Sequence, residues 1–288
     1  SQHTYNDTMT PRESALALLI QPNPEAKVTG LATLWTQAQA FDWPEASRSA
    51  VLQRTHAHEA AQVPGRPERP NLVAPGQVPT RSPFTIAGRA ALIHAICHIE
   101  FNAINLALDA VWRYPDMPTA FYMDWLGVAY EESTHFALLA AHLRDLPNPE
   151  GPAWHYGDFT AHDGLWAMCE KTADDITARM ALVPRTLEAR GLDATPLIQA
   201  KLARIDAPDA RAAIDILDII LRDEIGHVAI GNKWYHTLCD THALDPIAHY
   251  RLLVDRHDAP QLKPPFNEAA RKKAGFTDAE LAYLLDLP

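Results

Sequence analysis

The sequence predicts an all-α protein. From about residue 84 onward, apolar residues recur every three or four positions over long segments, which is the spacing of an amphipathic helix. Almost no segment alternates between apolar and polar residues with a period of two, as a half-buried strand would. Prolines separate the long segments, and 288 residues suffice to bury one substantial core with extensions around it.

Residues 1–83 are predicted to form an N-terminal extension that packs on this core. The first helix has Thr10 as its N-cap, Pro11 at its first position and Glu13 to complete a capping box. A second helical stretch covers about residues 28–41.

A proline-rich segment follows these helices, with six prolines between Pro64 and Pro83. Because proline lacks a backbone donor, the segment can be neither a helix nor a central strand. It is therefore either an ordered strap lying over the core or a linker. The apolar pair Leu72 and Val73 favours the strap.

Residues 84–243 are predicted to form the core. Its four helices are expected over residues 84–113, 118–145, 160–190 and 209–240. The third stretch continues less regularly, and Gly191 and Pro196 indicate a kink or a new short helix there. Residues 244–288 predict a helical tail that ends in a capped helix, "TDAELAYLLDL".

Charge and composition argue against several classes of function. The formal net charge is −11 and the pI is near 5.6, which argues against a nucleic-acid or anionic-membrane surface. No run of eighteen apolar residues predicts a membrane span, and the N-terminus lacks the pattern of a secretory signal. Three scattered cysteines (Cys97, Cys169 and Cys239) form no disulfide framework, as expected for a cytoplasmic protein.

The motif Glu-x-x-His occurs twice, as Glu132 with His135 and as Glu224 with His227. Two residues three apart lie on the same side of a helix. In both motifs that side is otherwise apolar, so the four side chains are expected to face the core.

A carboxylate and an imidazole that face a dry core carry a desolvation cost. One such pair alone is most simply a hydrogen-bonded couple in the core. Two pairs in one bundle favour a metal site, since a dinuclear site takes Glu-x-x-His from two helices and one glutamate from each of the other two.

The first bundle helix offers Glu100, which is its only glutamate and lies on an apolar face. The third helix offers Glu170 or Glu188. Antiparallel helices that share a site should place its ligands equidistant from the turn that joins them. The midpoint of Glu188 and Glu224 is residue 206, at the "DAPD" turn, whereas Glu170 and Glu224 give residue 197. Glu188 is favoured, and Glu170 stays open.

Glu131 and Asp223 precede the two motif glutamates and are predicted to hydrogen-bond the histidines across the site. The alternative is that each is solvated or joined in an ordinary salt bridge. Arg179 and Arg222 are candidate partners for these carboxylates.

His94 and His98 are expected to pack toward the strap or a neighbouring helix, because His98 lies about 200° around the helix from Glu100. The predicted ligands are therefore four carboxylates and two imidazoles, which suit two iron ions. Manganese or zinc can occupy the same ligands.

Several strings that include these residues resemble known families. "HIEFNAINLALDAV", "YGDFTAHDGLW", "RMALVPRTLEARGLD" and "RDEIGHVAIGNKW" resemble an uncharacterised bacterial ferritin-like family, a domain of unknown function, over roughly residues 10–280. The metal set resembles that of the ferritin-like di-iron carboxylate superfamily, which implies a ferritin-like four-helix bundle. "EESTHF" and "LEARG" are locally similar to tRNA-modifying di-iron monooxygenases, which implies Glu188 as the third-helix ligand. "DEIGH" is similar to a motif of bacterial di-iron hydroxylases.

The resemblance implies a fold and a metal site, whereas the substrate remains to be argued from the site. The leading hypothesis is a dinuclear iron oxidoreductase that activates oxygen or peroxide and oxidises a small organic molecule. Because the sequence contains no flavin or nicotinamide motif, an external electron donor is expected. The alternatives are a ferroxidase or peroxide-handling protein, and a helical interaction module with a structural metal or none. The strap and the tail could cover the mouth of the site or form a homodimer interface.

Overall fold

A computed structural model describes residues 9–54 and 61–287, and within them the chain is helical. The described residues form no β-strand, and their one isolated β-bridge pairs Leu72 with Ala161. The prediction of an all-α fold is confirmed.

Three helices precede the bundle: α1 (Pro11–Ile20), α2 (Pro24–Ala40) and α3 (Glu45–Ser49). Thr10 caps α1 by accepting a hydrogen bond from the backbone N–H of Glu13 at 3.2 Å. Helix α1 packs on the first bundle helix, and α2 packs on the second.

The bundle follows and occupies the middle of the chain. Its elements are α4 (Ile86–Arg113), α5 (Thr119–Asp145), α6 (Gly164–Lys171), α7 (Ile176–Leu182), a π-helical segment (Val183–Glu188), α8 (Arg190–Leu202) and α9 (Pro208–Thr241). Helices α4, α5 and α9 agree with their predicted ranges to within two residues.

The prediction of one helix over residues 160–190 is wrong. The chain breaks after α6, and Asp175 starts α7 as an N-cap whose side chain accepts a hydrogen bond from the N–H of Ala178 at 3.0 Å. The irregular part also lies earlier than Gly191 and Pro196, because the π-helical segment comes first and Pro196 lies inside α8.

Helices α5 and α9 pack antiparallel. Asp124 near the start of α5 accepts a hydrogen bond from Trp234 near the end of α9, at 2.9 Å. Farther along α5, His135 contacts Asp223, which lies earlier on α9. The two Glu-x-x-His motifs therefore face each other across one seam.

The strap is ordered against the N-terminal helices and the bundle. The N–H of Gly65 donates to the carbonyl of Leu19 at 2.8 Å, and Nζ of the buried Lys27 donates to the carbonyl of Gly65 at 3.2 Å. A side chain at Gly65 would collide with the backbone of Ile20, since its Cβ would lie 1.9 Å from the carbonyl oxygen. These contacts agree with a strap rather than a linker.

The tail contains α10 (Pro246–Arg256), α11 (Glu268–Lys273) and α12 (Asp278–Leu285). Helix α12 is capped as predicted, and its cap is a capping box formed by Thr277 and Glu280. The amide of Asn232 on α9 donates to the carbonyl of Ala274 at 2.7 Å, which holds the tail on the bundle.

Helix α4 is long and apolar enough to span a membrane, with a mean hydropathy of 1.4 in its most apolar window. It is the one helix of the described residues that meets this criterion, and 72% of that window is buried inside the molecule. Helix α4 thus packs as a core helix of the bundle.

Candidate metal centre

Both Glu-x-x-His motifs point into the core, where helical periodicity places them. Glu132 and His135 on α5 are fully buried, and His227 on α9 is 2% exposed. Glu224 on α9 is buried as well. Four polar side chains thus meet where the surrounding residues are apolar.

Glu132 lies between the two histidines. Its Oε1 is 2.7 Å from Nδ1 of His227, and its Oε2 is 3.3 Å from Nδ1 of His135. Burial favours the neutral acid, but the two imidazoles outweigh it and lower the pKa of Glu132 to about 2. Glu132 is accordingly an anion with each oxygen directed at one imidazole.

The outer nitrogens of the histidines contact the acids that precede the motifs. Nε2 of His135 lies 2.7 Å from Oδ2 of Asp223, and Nε2 of His227 lies 3.0 Å from Oε2 of Glu131. Each acid therefore binds the histidine of the other motif, across the seam between α5 and α9. With Nε2–H donating to the acid, Nδ1 of each ring is turned toward the carboxylates in the core.

Burial lowers the pKa of a histidine, but the carboxylates around these two rings outweigh it. The pKa of His135 is raised chiefly by Glu132, and the pKa of His227 is raised well above its ordinary value, again chiefly by Glu132. The carboxylates therefore stabilise the protonated form of both rings, and a bound cation would compete with those protons.

Glu100 and Glu224 flank this arrangement on opposite sides. Oε2 of Glu100 is 3.6 Å from Nδ1 of His135, and Oε2 of Glu224 is 3.5 Å from Nδ1 of His227. Two triads could each hold a metal ion, with ligand atoms within 4.8 Å of one another: Glu100, Glu132 and His135, and Glu132, Glu224 and His227. Glu132 belongs to both triads.

Glu188 is the last residue of the π-helical segment and lies next to the second triad. It is 8% exposed, and burial together with the charges of Glu224 and Glu132 raises its pKa well above the ordinary value. Its Oε2 has no hydrogen-bond partner among the described residues, and neither has Oε1 of Glu224. A buried oxygen without a partner is costly.

Glu170, the alternative for the third helix, is exposed and accepts a hydrogen bond from the indole N–H of Trp166 at 3.0 Å. It lies on α6, outside the cluster. The packing of α8 against α9 also agrees with Glu188. Gln199, eleven residues after Glu188, donates hydrogen bonds to the carbonyl of Ile214 and to Asp218 on α9, so the two helices pair about the turn near residue 206.

The π-helical turn that carries Glu188 was not predicted. The N–H of Ala189 donates to the carbonyl of Pro184 at 3.1 Å, which is the wide turn of a π-helix. Pro184 packs against Gly231 on α9, where a Cβ would lie 2.6 Å from Cβ of Pro184. The signal available in the sequence was a proline, Pro184, inside a helical pattern, and single π turns recur at functional sites.

Arg185, in the same turn, was also missed. Its buried guanidinium bonds Asn232 on α9 and Glu280 on α12, and lies 4.2 Å from the ring centre of Tyr235. The tail is thereby joined to the turn that carries Glu188.

The remaining sequence candidates lie elsewhere. Nε2 of His94 accepts a hydrogen bond from the N–H of Gly157 at 2.9 Å, and His98 contacts the hydroxyl of Tyr156 at 2.8 Å. Burial lowers the pKa of both rings to about 4, so they are neutral and hold the loop after α5.

The two arginines proposed as partners of Glu131 and Asp223 behave differently from each other. Arg222 lies 3.2 Å from Oδ1 of Asp223. The prediction that Arg179 is a partner of these acids is wrong, because Arg179 forms an ion pair with the buried Asp109 at 2.7 Å.

The donor set fits metal ions. It contains four carboxylates and two imidazoles, no thiolate, two unpartnered oxygens and a shared central glutamate. In sequence comparisons, residues 20–282 match the family model described as "Protein of unknown function (DUF455)". The chain belongs to this family.

A relative from Haemophilus influenzae, described as an uncharacterised protein, is 52% identical over 229 residues. The similarity covers 77% of this chain and 76% of the relative. No solved structure matches the chain significantly. Family membership agrees with the predicted resemblance to a family of unknown function, and any function has to be argued from the site.

Proposed function

We propose that this DUF455 protein holds two metal ions and acts as a dinuclear iron oxidoreductase of the ferritin-like type. The observation that carries the proposal is the pair of buried carboxylate oxygens, on Glu188 and Glu224, that have no partner among the described residues. Four carboxyl groups confined to one apolar core can all ionise only with cations nearby, and two metal ions would supply them.

The ligands divide around Glu132. Glu100 and His135 would hold one ion, and Glu224 and His227 the other, with Glu132 shared between them. Glu188 would complete the set from the third helix. Manganese or zinc fits the same donors, and iron is proposed because a carboxylate-rich site with two imidazoles suits redox chemistry.

When bound, two iron ions would supply the activation of oxygen or peroxide for the oxidation of a small organic molecule. The protein contributes orientation, because Asp223 and Glu131 fix the imidazoles with Nδ1 facing inward. Glu188 and Glu224, whose pKa values are raised, would release protons when cations bind. Apolar helix faces around the buried ligands limit the access of water to them.

An external electron donor belongs to this proposal, as the chain contains no motif for a flavin or a nicotinamide. The charge of −11 disfavours nucleic acid as the substrate. These features favour a small molecule and oxygen as reactants.

The test is oxygen uptake by the protein after anaerobic loading with ferrous iron. Sustained uptake with an added reductant, absent in a folded Glu132→Gln variant, supports an oxidoreductase. One burst of uptake that ends when the added ferrous iron is consumed would indicate a ferroxidase. No uptake from a protein that has bound iron would contradict both activities and favour a structural metal.

A further inference from the structure

A second feature lies away from the metal ligands, between the first part of α4 and the last part of α8. It is a groove with a volume of about 220 Å³. Its apolar walls are formed by Pro83, Leu92, Leu197, Ile198 and Leu202. Leu197 is 55% exposed, and Phe84, next to Pro83 in the chain, is 49% exposed. Apolar side chains exposed around one concave surface are typical of a ligand site.

The polar part of the groove is cationic. Arg81 and Lys201 line it, and no carboxylate does. The guanidinium of Arg81 lies over the ring of Phe159 at 5.0 Å, and that of Arg204 lies over Phe84 at 5.4 Å. None of these three cations forms an ion pair with the residues that the structure describes. In a chain with a net charge of −11, this surface is suited to an anion.

The helix faces that carry the apolar walls of the groove extend toward the metal ligands. On α4, Leu92, Ile96 and Glu100 are spaced by four residues, so they form one stripe about 12 Å long. On α8, Leu202, Ile198 and Thr195 form the matching stripe, which runs toward Glu188. An extended apolar chain lying in the groove would therefore point along these two helices to the level of Glu100 and Glu188.

We propose that this groove binds a single-chain aliphatic carboxylate. The carboxylate lies between Arg81 and Lys201, and the hydrocarbon chain lies on Leu92, Leu197 and Ile198, directed along α4 and α8. Arginine and lysine at the rim select the anionic head, and the apolar walls select a flexible chain. This binding is independent of the metal ions and goes beyond the proposed oxidoreductase.

The test is calorimetric titration of octanoate into the full-length protein, with octanol and butyrate as the neutral-headed and short-chained comparisons. Octanoate is expected to bind more tightly than either. Lys201→Glu should weaken octanoate by about tenfold or more, because it reverses a rim charge. Lys263→Glu, on an exposed position of the tail, makes the same change in net charge and should leave the affinity unchanged.

A second variant tests the apolar wall. Leu197→Asp alters an exposed side chain, so the fold should survive and octanoate binding should be lost. Equal effects of Lys201→Glu and Lys263→Glu would overturn the proposal, as would binding of an oligonucleotide in place of octanoate. Dissociation of a dimer by Leu197→Asp, without octanoate binding to the wild type, would assign the groove to a second copy instead.

The same titration on a Glu132→Ala variant tests whether octanoate binding depends on the metal centre. Unchanged octanoate affinity in that variant supports the groove whether or not metal binds. A wild-type protein that binds metal but not octanoate would overturn the proposed carboxylate binding in the groove and would not affect the proposed metal centre.

Discussion

Asp223 Oδ2 lies 2.7 Å from Nε2 of His135, so the acid of the second motif binds the histidine of the first. Glu131 of the first motif binds His227 of the second in the same manner, at 3.0 Å. The antiparallel packing of α5 and α9 produces both contacts. The duplicated string of two acids, two spacers and a histidine is thus one arrangement with approximate two-fold symmetry, and removing one acid should affect the opposite histidine.

Replacing Asp223 tests this relationship. Asp223→Ala removes the acceptor that orients His135, and loss of such a partner typically costs 10–100-fold in metal affinity. The affinity for a divalent metal, measured by competition with a chelator, should fall by about this factor. Asp215→Ala, at an exposed position of the same helix, should leave it unchanged. Equal affinities in the two variants would show that Asp223 does not position the ligand.

One substitution at Glu188 and one at Glu170 test which of the two is the metal ligand from the third helix. Burial and the charges of Glu224 and Glu132 raise the pKa of Glu188, which costs stability at neutral pH because the unfolded chain ionises this group more readily than the native one. Glu188→Gln removes that cost, so the metal-free protein should melt at a higher temperature. The same variant should bind less metal, since an amide is a weaker ligand than a carboxylate. Glu170→Gln, on an exposed residue, should change neither quantity. Loss of metal in Glu170→Gln alone would reverse the assignment.

Gly231 should be required for the turn that carries Glu188. Gly231→Ala places a Cβ 2.6 Å from Cβ of Pro184, and such overpacking typically costs about 1–3 kcal/mol of unfolding free energy. Gly226→Ala is the matched control on the same helix, because nothing lies within 4 Å of its Cβ. That change should stabilise by up to about 1 kcal/mol through helix propensity. Urea unfolding measures the change in unfolding free energy of both variants. No loss of stability in Gly231→Ala would contradict the close packing of Gly231 on Pro184.

The link between the tail and the bundle should depend on pH. Burial opposes ionisation of Glu280, but His236 and Arg185 outweigh it and lower the pKa to about 2, from 4.5. Between these values the unfolded chain binds the proton and the native chain does not, so stability rises with pH. The contribution is complete above pH 4.5 and is lost as the pH falls toward 2.

Lowering the pKa from 4.5 to about 2 corresponds to at most about 3 kcal/mol of unfolding free energy, of which about 2 kcal/mol is lost between pH 6 and pH 3. Glu280→Gln should remove this part of the difference between urea unfolding at pH 3 and at pH 6. Glu150→Gln, at an exposed loop position, should retain it. If Glu280→Gln kept the wild-type pH dependence of the unfolding free energy, the Glu280 carboxylate would not be its source.

Much of the centre could be predicted because helical periodicity is a local property. Residues three and four apart must share a face, which placed Glu132, His135, Glu224 and His227 inward. Glu100 followed because it is the only glutamate of the first bundle helix and lies on an apolar face. The register that pairs Asp223 with His135 follows from the same spacing once α5 and α9 are taken as antiparallel neighbours.

The third helix could not be predicted in this way. Its π-helical turn depends on a long-range contact between Pro184 and Gly231, and on Arg185 being held from the tail by Glu280. Neither contact leaves a periodic signal. The groove between α4 and α8 was invisible for a similar reason, since Arg81 and Lys201 are 120 residues apart in the sequence.

The metal content of purified protein tests the central claim most directly. Cells grown with ample iron should yield wild-type protein with two metal ions per chain. A Glu132→Ala variant, which lacks the shared ligand, should retain its helical circular dichroism and lose the metal. Wild-type protein without metal, even after incubation with ferrous iron, manganese and zinc, would contradict the account and leave the buried glutamates and histidines as a polar core.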